Sequence, residues 1–195
     1  MTQNETEPQL QPPGAGLPRV ELFFARTGFC VLNLIVSRKR ASAWFRAEAD
    51  RILALVRALD PAAGARRVLV PRPAGLEDSS RYWSAYMVLE HLVAVDSGIS
   101  GVIATLAGGS VPGATVNTAD FKPKPTADAT APDLFETVAR DYLARVDAVP
   151  DLRTKVRFRH PWFGPLSAIG WHRLAAMHHR IHRKQIERII ARLPK

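Results

Sequence analysis

Trp171-His-Arg-Leu-Ala-Ala-Met-His-His-Arg-Ile-His-Arg-Lys-Gln-Ile186 is the stretch that decides how this chain is read. On a wheel of about 100° per residue, Trp171, Leu174, Ala175, Ile181, His182, Gln185, Ile189 and Leu193 all fall within about 60° of His178. Arg173, Arg180, Arg183, Lys184 and Glu187 fall about 120° or more away. The segment is therefore an amphipathic helix with His178 and His182 on its core face, one turn apart and roughly 6 Å between Cβ atoms. His172 and His179 sit near the edge of that face and are expected to flank it. Such a helix needs partners, and three further segments supply them.

A helical region is predicted from about Thr27 to Leu59, ended by Asp60-Pro61. Its second half has good helix formers at helical spacing. A second helix is predicted from an N-cap at Asp78 or Ser79 through Leu106, ended by Gly108-Gly109. A third runs from Pro132 to Val149, and the last from Pro165 to about Leu193. Residues 110–132 read as a long surface loop, of a length uncommon in compact domains unless functional or mobile. Thr154 to His160 alternates like a short extended segment, and His160 falls in a turn that needs no special explanation. Four helices without a convincing sheet predict an all-α fold, a four-helix bundle with a long crossover. Residues 1–18, polar and holding four prolines, read as a disordered tail, leaving 19–195 as a single domain.

The helix around Val88-Leu-Glu-His-Leu-Val-Ala-Val95 is apolar on nearly every side, yet it carries His91. Two imidazoles at i and i+4, joined by a third from a facing helix, make a three-nitrogen site with open positions, the pattern of catalytic metal. A hydrogen-bonded core cluster is the alternative, because each buried imidazole must find some partner. Three neutral imidazoles suit zinc, nickel or iron. A thiol or water on such an ion ionises readily. Glu90 points about 100° from His91 and is a candidate base or outer carboxylate, with a surface ion-pair role as the alternative. Trp83, Trp171 and Gln185 are candidate pocket residues, with core packing the alternative for Trp83. A zincin is excluded, because the residues between His178 and His182 are His, Arg and Ile rather than Glu-x-x.

The net charge of +9 is unevenly placed. Residues 153–195 hold eleven Lys or Arg against Glu187 alone, a net +10, and the rest of the chain balances to −1. Such a surface attracts nucleic acid, anionic lipid or an acidic small substrate, or is simply a solvated face. No nucleic-acid-binding motif is present, so nucleic acid is not the expected partner. The single cysteine, Cys30, excludes an internal disulfide and makes a reducing, cytoplasmic setting the default; it reads as a core residue. No secretory signal is visible, and no uninterrupted apolar run of about 18 residues predicts a membrane span.

Arg81-Tyr-Trp-Ser-Ala-Tyr-Met-Val-Leu-Glu-His-Leu92, Phe163-Gly-Pro-Leu166, Trp171 and His178-x-x-x-His182-x-x-Gln185 together resemble the DinB/YfiT-like superfamily of metal-dependent enzymes. The resemblance covers about residues 28–193. It implies a four-helix bundle with a long crossover, frequent homodimers, and a metal held by His91, His178 and His182. It further implies chemistry joining a low-molecular-weight thiol such as bacillithiol or mycothiol to a small electrophile, or thiol-dependent isomerisation. A metal-binding bundle without catalysis and a basic nucleic-acid-binding module are the alternative functions.

Overall fold

Ser37 divides what periodicity reads as one long helix. The computed structural model describes residues 7–194. In it α1 spans Arg19–Ile35 and α2 spans Arg38–Arg57. Val36 between them is extended, and the Ser37 hydroxyl accepts from the Arg40 amide at 3.3 Å, an N-cap that restarts the helix. The expected helix from Thr27 to Leu59 is corrected to two helices. Arg173 Nε donates to the Val36 carbonyl at 2.6 Å and gives it the partner that a continuing helix would have supplied.

Asp60 caps the short α3, Pro61–Ala65, by accepting from the amides of Ala62 and Ala63. Gly64 is required there: a Cβ would lie 2.3 Å from Cζ of Tyr86. Next, β1 (Val68–Leu69) pairs antiparallel with β2 (Tyr82–Trp83), and a 3-10 turn at Asp78–Ser80 precedes β2. So α4 begins later than its predicted cap. It spans Ala85–Ala107, with the Ser84 hydroxyl accepting from Met87 N at 3.1 Å. The crossover contains one 3-10 turn, Thr118–Phe121, before α5, Ala131–Ala148. A hairpin of β3 (Phe158–His160) and β4 (Gly164–Leu166) follows. Pro165 belongs to β4 and not to a helix N-terminus; α6 spans Ala168–Ile190.

Four of the helices form the bundle. α6 packs against both α2 and α4, α4 packs on α5, and α2 touches α5. Phe45 and Ile52 of α2, Leu89 and Leu92 of α4, Phe135 of α5, and Ile186 and Ile189 of α6 are completely buried between them. Burial of such side chains contributes about 1.5–3 kcal/mol each. α4 is long and apolar enough to cross a membrane by composition. Here it is the inner helix of the bundle, with Asp96 fully buried on it.

α1 lies outside this core. Phe29 is its one buried residue, and it packs on Phe163 with ring centroids 4.6 Å apart. Val20, Phe23, Phe24, Val31, Leu34 and Ile35 stand exposed along its outer face. Cys30, expected in the core, is exposed on the same helix.

Composition predicts disorder for residues 1–18, but residues 7–18 are bound to the fold. Glu7 pairs with Arg67 at 2.7 Å, and the Gln11 amide donates to Asp78 at 3.0 Å. The amides of Gly14 and Gly16 donate to the Glu77 carboxylate. Residues 1–6 of the predicted tail lie outside the described residues.

Candidate metal centre

α4 carries His91, and α6 carries His178 and His182 one turn apart. Because α6 packs directly on α4, the three rings converge. His178 Nε2 lies 3.3 Å from His91 Nε2 and 3.0 Å from His182 Nε2. Tetrahedral zinc with bonds of about 2.0–2.1 Å would set its nitrogens about 3.3 Å apart.

The far nitrogens fix which lone pairs face inward. His91 Nδ1 donates to the Phe121 carbonyl at 2.6 Å. His182 Nδ1 donates to Gln185 Oε1 at 2.8 Å, and Gln185 Nε2 in turn donates to the Ser80 carbonyl at 2.7 Å. That chain orients the amide. It leaves Nε2 of both rings without hydrogen and aimed at the shared centre. His178 Nδ1 is buried with no partner. Burial, with Lys122 adding to it, holds His91 down to about 4, while backbone bonding to Phe121 opposes the shift. Burial and the neighbouring rings push His178 and His182 well below the ordinary imidazole range. The imidazoles are thus neutral, the form that binds metal. His178 completes the cluster in one of two tautomers: with its hydrogen on Nε2 it donates to a neighbouring ring, and with its hydrogen on Nδ1 it turns a third lone pair inward, the form in which the residues fit a divalent ion.

Behind the rings stands Trp83, its indole 5.2 Å from His91 and parallel to His182 at 6.2 Å. Lys122 lies over its other side at 5.4 Å. Trp83 backs the histidines and does not line the cavity, which corrects its expected place in the pocket. Gln185 is likewise a positioning residue for His182 and no pocket residue. Glu90 is directed elsewhere: its carboxylate accepts from the Lys124 amide at 2.8 Å and anchors the crossover, so it is not placed as a base. Trp171 does line the cavity, packed against Phe158 and His160.

The triad opens on a cavity of about 330 Å³ between α4, α6, the crossover and the hairpin. Its mouth is tied by Glu77. That carboxylate accepts from Gly14, Gly16, Ser79, Thr118 and Lys122, the last at 2.9 Å. Burial pushes Glu77 up, but Lys122, the Gly14 amide and Thr118 more than offset this and leave it below the usual carboxylate range. At the other end, His160 Nδ1 accepts from the amides of Trp162 and Phe163 at 3.1 and 3.4 Å. Its Nε2 therefore carries the hydrogen.

Glu77, Phe121, Lys122 and His160 were not singled out as site residues by sequence. Glu77, Phe121 and Lys122 come from turns without periodicity and His160 from the end of β3, and only the unusual length of the crossover pointed to one of those segments. His172 and His179, expected at the flank of α6, are completely buried on the side facing α2 and α5. His172 is held between Ser42 and Tyr142, each at 3.0 Å, and His179 Nε2 bonds Asp96 at 2.8 Å.

The profile of the mycothiol maleylpyruvate isomerase N-terminal domain matches residues 45–187. No curated protein matches the chain. Among solved structures, it is similar to TT2238, described as a four-helix bundle protein. The TM-score is 0.56 at 24% identity, over 77% of this chain and 98% of the other. That likeness concerns the fold. With the profile match spanning most of the sequence, the chain belongs to the mycothiol maleylpyruvate isomerase N-terminal domain family, a DinB/YfiT-like four-helix bundle family associated with metal-dependent enzymes.

Proposed function

We propose that this protein is a metal-dependent enzyme that joins a low-molecular-weight thiol to a small electrophile, or isomerises a substrate with such a thiol. The observation that carries this reading is the convergence of three Nε2 atoms at the floor of a cavity. His91, His178 and His182 would hold the ion, and zinc, nickel or iron suits that donor set. A divalent ion there supplies the acidity that turns a bound thiol into thiolate at neutral pH. The chain's own residues do the rest. Phe121 and Gln185 fix two ring tautomers, Trp83 packs the rings in place, and the crossover shields the site from water. The family's name, which includes the thiol mycothiol, supports the reading. A cytoplasmic location goes with it, because an exposed free Cys30 suits a reducing compartment.

A second copy of the chain is the proposed partner, seated on α1. The six exposed side chains of its outer face present on the order of 700 Å² of largely apolar surface, where a standard interface takes about 800 Å² per partner. A two-fold axis sets such a stripe against itself. Phe23→Glu/Leu34→Glu should convert a dimer to a monomer in sedimentation equilibrium; a monomeric wild type ends this part of the proposal.

Elemental analysis of untagged protein beside the His178→Ala/His182→Ala variant tests the central reading. About one metal per chain in the wild type and none in the variant is expected, followed by thiol consumption when thiols and electrophiles are screened. No metal after soaking in zinc or nickel returns the histidines to a core cluster. Bound metal without thiol chemistry makes the protein a non-catalytic metal bundle.

A further inference from the structure

The chain is strongly basic, so a small acidic substrate is the natural first expectation. The cavity above the triad contradicts it. Among the described residues that line it there is no arginine. On α6, Arg173 is held on the Val36 carbonyl, Arg183 on Glu48 and Glu187, and Arg188 on the Pro71 carbonyl, while Arg180 is exposed and outside the cavity lining. The one lining cation, Lys122, has its donors occupied by Ser79, Ser80 and Glu77. The one lining carboxylate, Glu77, is saturated with donors. What remains of the wall is apolar: Val95, Ile99 and Val102 from α4, Leu174, Met177 and Ile181 from α6. Away from the triad a carboxylate would meet no free cation on this wall, and burying it there is strongly unfavourable, so a dicarboxylate would leave at least one carboxylate uncompensated.

Two polar hydrogens stand out in that lining. Trp171 is 2% exposed, lines the cavity, and its indole N–H has no partner. The ring of His160 packs against Trp171 at 5.3 Å, and its Nε2–H makes no hydrogen bond among the described residues. Burial holds His160 down to about 4, so the ring is a neutral donor and not a counter-ion. Trp171 precedes His178 by seven residues on α6, about 10 Å along the axis.

We infer that the co-substrate of this cavity is an uncharged, mainly apolar molecule with one hydrogen-bond acceptor on the Trp171 and His160 side of the cavity, and not a dicarboxylate. The inference deepens the functional reading above and rests on the cavity being the substrate site.

Calorimetric titration of the metal-free and zinc-loaded protein tests it with three probes: benzylacetone, a methyl ketone carrying a phenyl group; butylbenzene, which lacks the acceptor; and fumarate. The ketone should bind roughly fivefold tighter than the hydrocarbon and at least about tenfold tighter than fumarate. Trp171→Phe should erase the difference between ketone and hydrocarbon. Val102→Trp and, from the opposite wall, Met177→Trp should each abolish binding of both neutral probes; circular dichroism identifies which of the two is folded and decides. Fumarate binding as tightly as the ketone overturns the inference, as do neutral probes indifferent to a folded cavity-filling variant. The His178→Ala/His182→Ala variant separates the two readings: loss of metal with ketone binding retained supports the cavity inference, and absence of metal from the wild type leaves the probe result standing alone.

Discussion

His178 and His182 on one side of α6, and His172 and His179 on the other, share a helix and a residue type but differ in what their nitrogens meet. On the core side Ser42 and Tyr142 hold both nitrogens of His172, and Asp96 holds Nε2 of His179, whose Nδ1 has no partner among the described residues. On the cavity side the outer nitrogens of His182 and His91 are bonded, while the inner ones point at each other. A buried histidine satisfied by protein groups contributes to the fold. A cluster whose lone pairs converge at a cavity sets the fold a cost that a cation removes. The lesson is that partner identity, and not burial, separates a structural histidine from a ligand.

Substitution should break this contrast most visibly at the triad. His178→Ala/His182→Ala should abolish metal binding and all metal-dependent activity, with metal-free stability to urea nearly unchanged, as read by elemental analysis and denaturation. His179→Ala should do the reverse. It strands the Asp96 carboxyl in the core, a loss of about 3–5 kcal/mol in urea unfolding, while the metal content of the folded fraction stays near that of the wild type. Equal destabilisation by both variants would erase the distinction.

Acid should reach the core set through His172. Burial, reinforced by Arg38 and Arg173, holds its folded value down to about 4 against an ordinary 6.5. Above pH 6.5 the ring is neutral in both states and its contribution is intact. Between 6.5 and 4 the unfolded chain takes up a proton that the folded chain refuses, so stability falls as pH falls, by roughly 3 kcal/mol in all. Thermal melts across that window should show the slope, to which His91, His160, His178 and His182 add in the same direction, and His172→Phe should reduce it by the His172 share alone. At smaller amplitude, Gln185→Leu should weaken metal affinity by about 10–100-fold by freeing the His182 ring, in competition with a chelating dye. Tyr142→Phe, its counterpart on the core side, should cost about 1 kcal/mol in unfolding and leave metal affinity unchanged.

The spacing of His178 and His182 was legible because a helix turns regular spacing into geometry, and His91 because an imidazole in an apolar helix needs a reason. The bundle was legible from the same periodicity. The break at Val36 was not, since it depends on Arg173, a residue 137 positions away. His172 and His179 were misjudged because a single stripe was assumed. α6 packs on α2 as well as α4, so its buried arc is wider than one face. Glu77 and Lys122 sit in turns, where side-chain direction follows from tertiary contacts alone, and His160 ends a three-residue strand too short to show a pattern.

Glu77 has one more consequence, and it concerns time. Its carboxylate gathers amides 61 and 63 residues before it and a hydroxyl 41 residues after it. Contacts that distant in sequence close slowly, because loop entropy opposes them until the rest of the chain is in place. The triad is subject to the same delay, because His91 and His178 are 87 residues apart, farther than any Glu77 contact. Helix content should therefore be complete before either the imidazoles or the Glu77 contacts assemble, and an ion that enters during assembly meets preformed helices and an unfinished cavity.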